Sequence, residues 1–130
     1  MIVELGGRGN IAAIVEASYN VLRRFGVERP ELGNPWYFPG VAEYAGRLER
    51  HGIEVTFAAL FDRPTPLEGG EGGLDAWFRM FGGALTASLD QLRRAEFVRQ
   101  VAEKCRPTLW SDGRWKADYR RLRIAGRKLS

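Results

Sequence analysis

Residues Glu4-Leu5-Gly6-Gly7-Arg8-Gly9-Asn10 join a short apolar run to a long amphipathic pattern, and this junction constrains the fold more than any other feature. Ile2, Val3 and Leu5 read as a strand ending at the glycines. Ile11, Ile14, Val15, Ser18, Val21, Leu22 and Phe25 then recur at helical spacing, and Gly26 stands where a C-terminal stop belongs. Asn10 occupies the N-cap position, where its side chain is expected to accept from free N–H groups of the first turn. A strand that passes into a helix through closely spaced glycines belongs to an α/β chain. Such a turn exposes bare backbone N–H groups beside a helix N-terminus, which suits a nucleotide-like or anionic ligand.

Gly7-Arg8-Gly9-Asn10-Ile11-Ala12 matches the dinucleotide fingerprint G-x-G-x-x-G/A letter for letter. The mechanism behind that fingerprint needs a second strand ending in an acid about 20 residues on, to bind ribose hydroxyls. The acids at that distance, Glu28 and Glu31, flank Arg29-Pro30 in a proline-rich stretch. The letters are present and their context is not.

Val27 to Gly40 reads as a loop carrying Trp36-Tyr37-Phe38, and Val41, Tyr44, Ala45 and Leu48 mark a second helix closed by Gly52. Ile53 to Phe61 is the best strand, rich in β-branched and aromatic residues. Asp62-Arg63-Pro64-Thr65-Pro66 and a glycine-rich stretch follow it. Leu74, Trp77, Phe78 and Phe81 predict a short apolar helix, with Trp77, Phe78 and Phe81 as core. A further helix runs from Leu89 to Cys105, with Leu92, Val98, Val101 and Cys105 on one side. Ser111-Asp112-Gly113-Arg114 is a turn. Ala117 to Lys128 is a final strand with Tyr119, Leu122 and Ile124 as its apolar members. The helical connection between the first two strands implies a parallel right-handed crossover, while the spacing leaves the direction of the last strand open.

The chain has 130 residues, one cysteine, one histidine and a net charge of +4. Cys105 alone excludes an intrachain disulfide and a cysteine zinc site, and nothing near His51 supports a catalytic set, so neither a catalytic side chain nor a metal is expected. No apolar run approaches the roughly 20 residues of a membrane span, and the opening residues do not form a signal peptide; a cytoplasmic protein is expected. From Asp90 onward Lys and Arg outnumber Asp and Glu. A basic end can serve nucleic acid, but no aromatic-basic RNA-binding motif accompanies it, so a solvated arginine-rich surface is the favoured reading.

Glu4 and Gly6 fit the opening of the first motif of S-adenosylmethionine-dependent methyltransferases, but the next two glycine positions fall on Arg8 and Asn10. The chain as a whole instead resembles the C-terminal half of a class I enzyme of that kind, nearest the group that includes trans-aconitate methyltransferases. The matching pieces are Glu4 to Ile11, Asn34-Pro35-Trp36-Tyr37-Phe38-Pro39, His51-Gly52-Ile53-Glu54-Val55 and Phe61-Asp62-Arg63-Pro64-Thr65-Pro66-Leu67. Trp77-Phe78-Arg79-Met80-Phe81 and Ala117-Asp118-Tyr119-Arg120-Arg121-Leu122 complete them, in order and spacing over nearly the whole chain.

The resemblance implies a partial Rossmann-like α/β fold. Residues 1–65 and 111–130 would form part of a sheet, and residues 66–110 a helical cap insertion. Ile2 to Leu5, Ile53 to Phe61 and Ala117 to Lys128 would be the fifth, sixth and seventh strands, the seventh antiparallel between the other two. The family binds S-adenosylmethionine with its first four strands, so no cofactor is expected on this chain alone. Its partner would be the missing half or a second copy, paired through the exposed edge of the first strand.

The implied substrate side takes Gly7, Asn10, Trp36, Tyr37 and Arg63. Arg63 stands past a strand end, where a planar permanent cation suits a carboxylate, against the plainer reading of a surface salt bridge. Trp36, Tyr37 and Phe38 line a pocket or lid the core. A carboxylate acceptor is already nucleophilic, so the lack of a general base is compatible with carboxyl methylation. Two other classes remain open: a binding or assembly module that dimerises through its sheet edge, and a basic nucleic-acid-binding protein.

Overall fold

The glycine turn and the last strand together determine the arrangement of the sheet. A computed structural model describes Met1–Leu129 as β1 (Ile2–Gly6), α1 (Ala12–Arg24), α2 (Val41–Arg50), β2 (Ile53–Pro66), α3 (Gly73–Phe81), α4 (Gln91–Leu109), β3 (Trp110–Ser111) and β4 (Arg114–Lys128). Short 3-10 turns occupy Pro30–Gly33 and Gly70–Gly72. The fold is mixed α/β. The described residues divide into two compact units. One comprises Met1–Ile11, Tyr37–Pro64 and residues 119–129; the other comprises Ala12–Trp36 and Thr65–Asp118.

In the first unit β4 lies between β1 and β2, and pairs antiparallel with β1 in the register Ile2↔Ala125 to Gly6↔Arg121. Its pairing with β2 is also antiparallel. Just past the end of β4, the Leu129 N–H reaches the Gly52 carbonyl that precedes β2, at 2.8 Å. The order and the reversed last strand are those the family resemblance implied. Leu122 and Ile124, at alternate positions of β4, are fully buried, as period-two spacing requires. Gly7 is packed close to Leu122. A Cβ there would lie 2.5 Å from Leu60 Cδ1 and 3.1 Å from Leu122 Cβ.

β2 runs five residues beyond the predicted Ile53–Phe61, through both prolines. The reason is its place at the sheet edge. The Leu67 N–H donates to the Trp115 carbonyl at 2.8 Å, so by alternation residues 66 and 64 turn their missing N–H groups outward, where no ladder bond is lost. Arg63 therefore lies within the strand and not past its end.

In the second unit, Ile14, Ala17, Ser18, Val21 and Leu22 form the buried stripe of α1. Its stop is a complete Schellman motif: Gly26 has φ +91°, its N–H reaches the Arg23 carbonyl, and the Val27 N–H reaches that of Leu22. Trp77, Phe78 and Phe97 stack edge to face with centroids 5.2 Å apart at each step. Trp77 and Phe78 are core as expected, whereas Phe81 is half exposed. On α4, Asp90 caps the Arg93 N–H at 2.8 Å, and the buried residues are Phe97, Val98, Val101, Cys105 and Leu109. Leu92, expected on that side, is 84% exposed, because six residues before Val98 is about 120° round the helix. The turn before β4 is a two-residue hairpin, with Asp112 and Gly113 both at positive φ and Trp110 opposite Trp115.

Gly7→Ala is expected to destabilise the protein by about 1–3 kcal/mol in urea denaturation, since Leu60 Cδ1 and Leu122 Cβ crowd the added methyl group. Gly72→Ala, whose added Cβ meets nothing within 4 Å, should stay within about 0.5 kcal/mol of the parent. Equal midpoints for the two variants would show that the Gly7 contact yields.

Candidate functional site

The turn after β1 is bonded throughout to its own unit. The Gly7 N–H donates to the Arg120 carbonyl at 2.9 Å, the Arg8 N–H to that of Pro39 at 3.0 Å, and the Asn10 N–H to that of Gly7 at 2.9 Å. The Asn10 side chain is buried and its Oδ1 accepts from the Arg120 N–H at 2.6 Å. Asn10 is therefore not the cap of α1. Ile11 follows it at φ +50°, and the Ala13 N–H at the helix start is taken by Asp118 Oδ2, at 2.8 Å. The capping group comes from a strand more than a hundred residues later, which local sequence cannot announce.

These bonds decide whether the turn can hold a nucleotide-like cofactor. Three of its N–H groups are already bound by protein carbonyls, and Asn10 and Phe38 fill the space beside Gly6 within 2.9 Å of where a Cβ would stand. The residues of this turn do not form a cofactor cradle.

The other predicted residues each have contacts of their own. Tyr37 is half exposed, its hydroxyl receiving Arg47 Nη1 at 3.0 Å with the Arg47 guanidinium 5.4 Å over its ring. Trp36 belongs to the second unit and stacks against Trp77 at 5.9 Å, in the manner of an aromatic lid on the core. The sole histidine sits at the end of α2 with Nδ1 2.7 Å from the Arg47 carbonyl.

Arg63 is one of three arginines around a single acid. Glu4 Oε1 accepts from Arg63 at 2.7 Å and Arg121 at 3.3 Å, while Oε2 accepts both Nε and Nη2 of Arg123, at 3.0 and 2.7 Å. Arg63 and Arg123 also lie over the Phe61 ring, at 5.3 and 5.7 Å. The hydrogen bonds from Arg123 hold Glu4 below the usual carboxylate range. Desolvation opposes them, and Arg121 and Arg63 reinforce them. Register explains the cluster: Glu4 faces Arg123 directly, and Arg121 is two residues along the same face.

Sequence reasoning missed Asp118 and the environment of Cys105. Burial pushes Asp118 upward from its ordinary 3.8, against backbone bonds led by Ala13, and its Oδ1 is buried without a hydrogen-bond partner. Cys105 lies on the wall of a cavity of about 330 Å³ with Ala13, Glu16, Ala17, Asn20, Lys104 and Thr108. Burial first, and then the charge of Asp118, push its thiol up to about 11. Such a thiol is packing and not a nucleophile. Among the described residues, no three histidine, cysteine or acidic side chains gather to hold a metal, and no helix is long and apolar enough to cross a membrane.

Comparison with known proteins bears on this geometry. No family model matches the chain. A curated protein of Schizosaccharomyces pombe described as an uncharacterised methyltransferase is 30% identical over 130 residues, covering 98% of this chain. The chain spans about half the length of that relative, 48%.

Two opposite pH responses follow. Glu4 has a depressed folded pKa, so its contribution is present above its ordinary 4.5 and is lost as pH falls through the folded value. Glu4→Gln should therefore flatten the acid side of a stability-versus-pH curve. Asp118 has a raised folded pKa, so the folded chain retains a proton that the unfolded chain has lost just above 3.8, and stability from this group falls as pH rises there. Asp118→Asn should gain on the parent over that rise. Denaturant midpoints from pH 3 to 7 read both, and parallel curves for parent and variants would refute the assignments. Separately, iodoacetamide at pH 8 should label Cys105 of the folded chain at least about 100-fold more slowly than the urea-unfolded chain, as a thiol near 11 requires. Equal rates by mass spectrometry would show the thiol to be accessible and ionised.

Proposed function

We propose that this chain is the C-terminal part of an S-adenosylmethionine-dependent methyltransferase acting on a small, carboxylate-bearing molecule. The observation that carries the reading is the 30% identity to the Schizosaccharomyces pombe methyltransferase along essentially the whole chain. The strand order β1-β4-β2, with β4 reversed, supports it independently, because the resemblance of the sequence pieces implies that same order.

Activity then needs the complementary half. The turn after β1 is closed to a cofactor by its own hydrogen bonds, so S-adenosylmethionine binding falls to residues outside this segment. β1 pairs with β4 along one edge, and Ile2 at its start is 78% exposed, which leaves the other edge suited to strand pairing with that half or with a second copy. The contribution of these residues is a polar mouth for the acceptor at the end of β1, with no step of the transfer carried by their side chains.

The isolated chain, titrated calorimetrically with S-adenosylmethionine, should give only heats of dilution; a micromolar dissociation constant would overturn that part. The activity is tested in a chimera that replaces the matched segment of the Schizosaccharomyces pombe relative with this chain. Labelled methyl groups should pass to small carboxylic acids, giving base-labile esters. A folded chimera that binds S-adenosylmethionine but methylates no acid would sink the substrate class.

A further inference from the structure

The turn after β1 holds a cation that takes no part in the Glu4 cluster. Arg8 is the second residue past the end of β1, and its backbone is fixed on both sides: its N–H donates to the Pro39 carbonyl, and its own carbonyl accepts from Arg120 Nη1 at 3.2 Å. Its guanidinium lies on the backbone of Gly40, where a Cβ would stand 2.7 Å from Cζ and 2.8 Å from Nη2. Any side chain at position 40 would displace it. Arg120 repeats the arrangement on Gly9, a residue at φ +85°, with Cδ 3.4 Å from where a Cβ would be. Two guanidinium-bearing chains thus rest on bare backbone within one turn.

Their charges are not neutralised alike. Among the described residues no acid pairs with Arg8. Arg120 meets Asp62 at 3.2 Å, but that carboxylate is 80% exposed, and a solvated pair of this kind is easily exchanged for a better partner. The Glu4 cluster differs, since Arg63, Arg121 and Arg123 all converge on one carboxylate. A guanidinium seated against a glycine, with no acid on its N–H edge, keeps that edge for an incoming planar anion. The position outside the carboxyl end of a strand is where open α/β sheets collect ligands.

We propose that Arg8, with Arg120 beside it, is the site that receives a carboxylate of the small-molecule ligand. The identification of that ligand as a methyl acceptor rests on the proposed methyltransferase function; the anion site does not.

The test uses the 130-residue chain, tricarballylate as probe, and NMR titration of the backbone amides. Saturable shifts centred on Arg8, Gly9 and Arg120 are expected, with the dissociation constant raised about tenfold or more by Arg8→Gln and by a smaller factor in Arg8→Lys, which keeps charge but loses the fork. Arg127→Gln, an exposed arginine paired with Glu54, should bind as the parent does. Thermal midpoints establish that each variant is folded. Absence of binding by the parent, equal affinity of the trimethyl ester, or undiminished binding by Arg8→Gln overturns the proposal. So does loss confined to Arg63→Gln. Inorganic phosphate binding more tightly than tricarballylate would overturn the ligand class. The two readings fail separately. Carboxylate binding at Arg8 with an inactive chimera defeats the methyltransferase reading alone, and chimera activity indifferent to Arg8→Gln defeats this site alone.

Discussion

The hydrogen bond from the Arg120 N–H to Asn10 Oδ1 governs how the first unit is put together. β1 ends at Gly6, opposite Arg121, and one residue further along β4 the backbone of Arg120 would lose its partner. The turn supplies two replacements: Asn10 accepts from the N–H at 2.6 Å, and the Gly7 N–H donates to the carbonyl at 2.9 Å. A strand residue stripped of both bonds loses about 1–3 kcal/mol for each group that water does not reach, and less at a half-buried position such as this one. The turn is therefore an extension of the ladder, and its glycines are there to let it approach β4. That same function closes it to a cofactor.

This explains why the letters of the turn mislead. Gly7-Arg8-Gly9-Asn10-Ile11-Ala12 fits a dinucleotide fingerprint because both arrangements need small residues where backbone meets something closely. In a nucleotide loop the close neighbour is a pyrophosphate; here it is Leu60 and Leu122 at Gly7, and the Arg120 side chain at Gly9. Spacing records the closeness and not the partner. The absent second strand was the better guide, since a mechanism needs all its parts.

What was legible in the sequence was local. The Gly26 stop, the stripe of α1, the Asp112-Gly113 turn and the aromatic core around Trp77 follow from periodicity and turn chemistry. What was illegible depends on pairing across long separations. Asn10 satisfies every local criterion for an N-cap, yet it serves β4 while Asp118 serves α1. Pro64 and Pro66 signal a strand end until the strand is known to lie at an edge. The direction of β4 came from the resemblance alone, because an isolated strand has no preferred direction. The Glu4 cluster needed the register of β1 against β4, which no motif encodes.

The same pairing accounts for the basic end of the chain. Of the five arginines in β4 four meet acids: Arg120 meets Asp62, Arg121 and Arg123 meet Glu4, and Arg127 meets Glu54. Each acid comes from β1 or β2, strands in the mildly acidic early part of the sequence. Part of the charge asymmetry along the chain is thus offset where its ends pair in one sheet. Arg8 has no paired acid among the described residues, and neither has Arg114 at the start of β4; what distinguishes Arg8 is its seat on Gly40. An arginine seated on glycine just past the carboxyl end of a strand, without an acid of its own, marks a place where an external anion would be received.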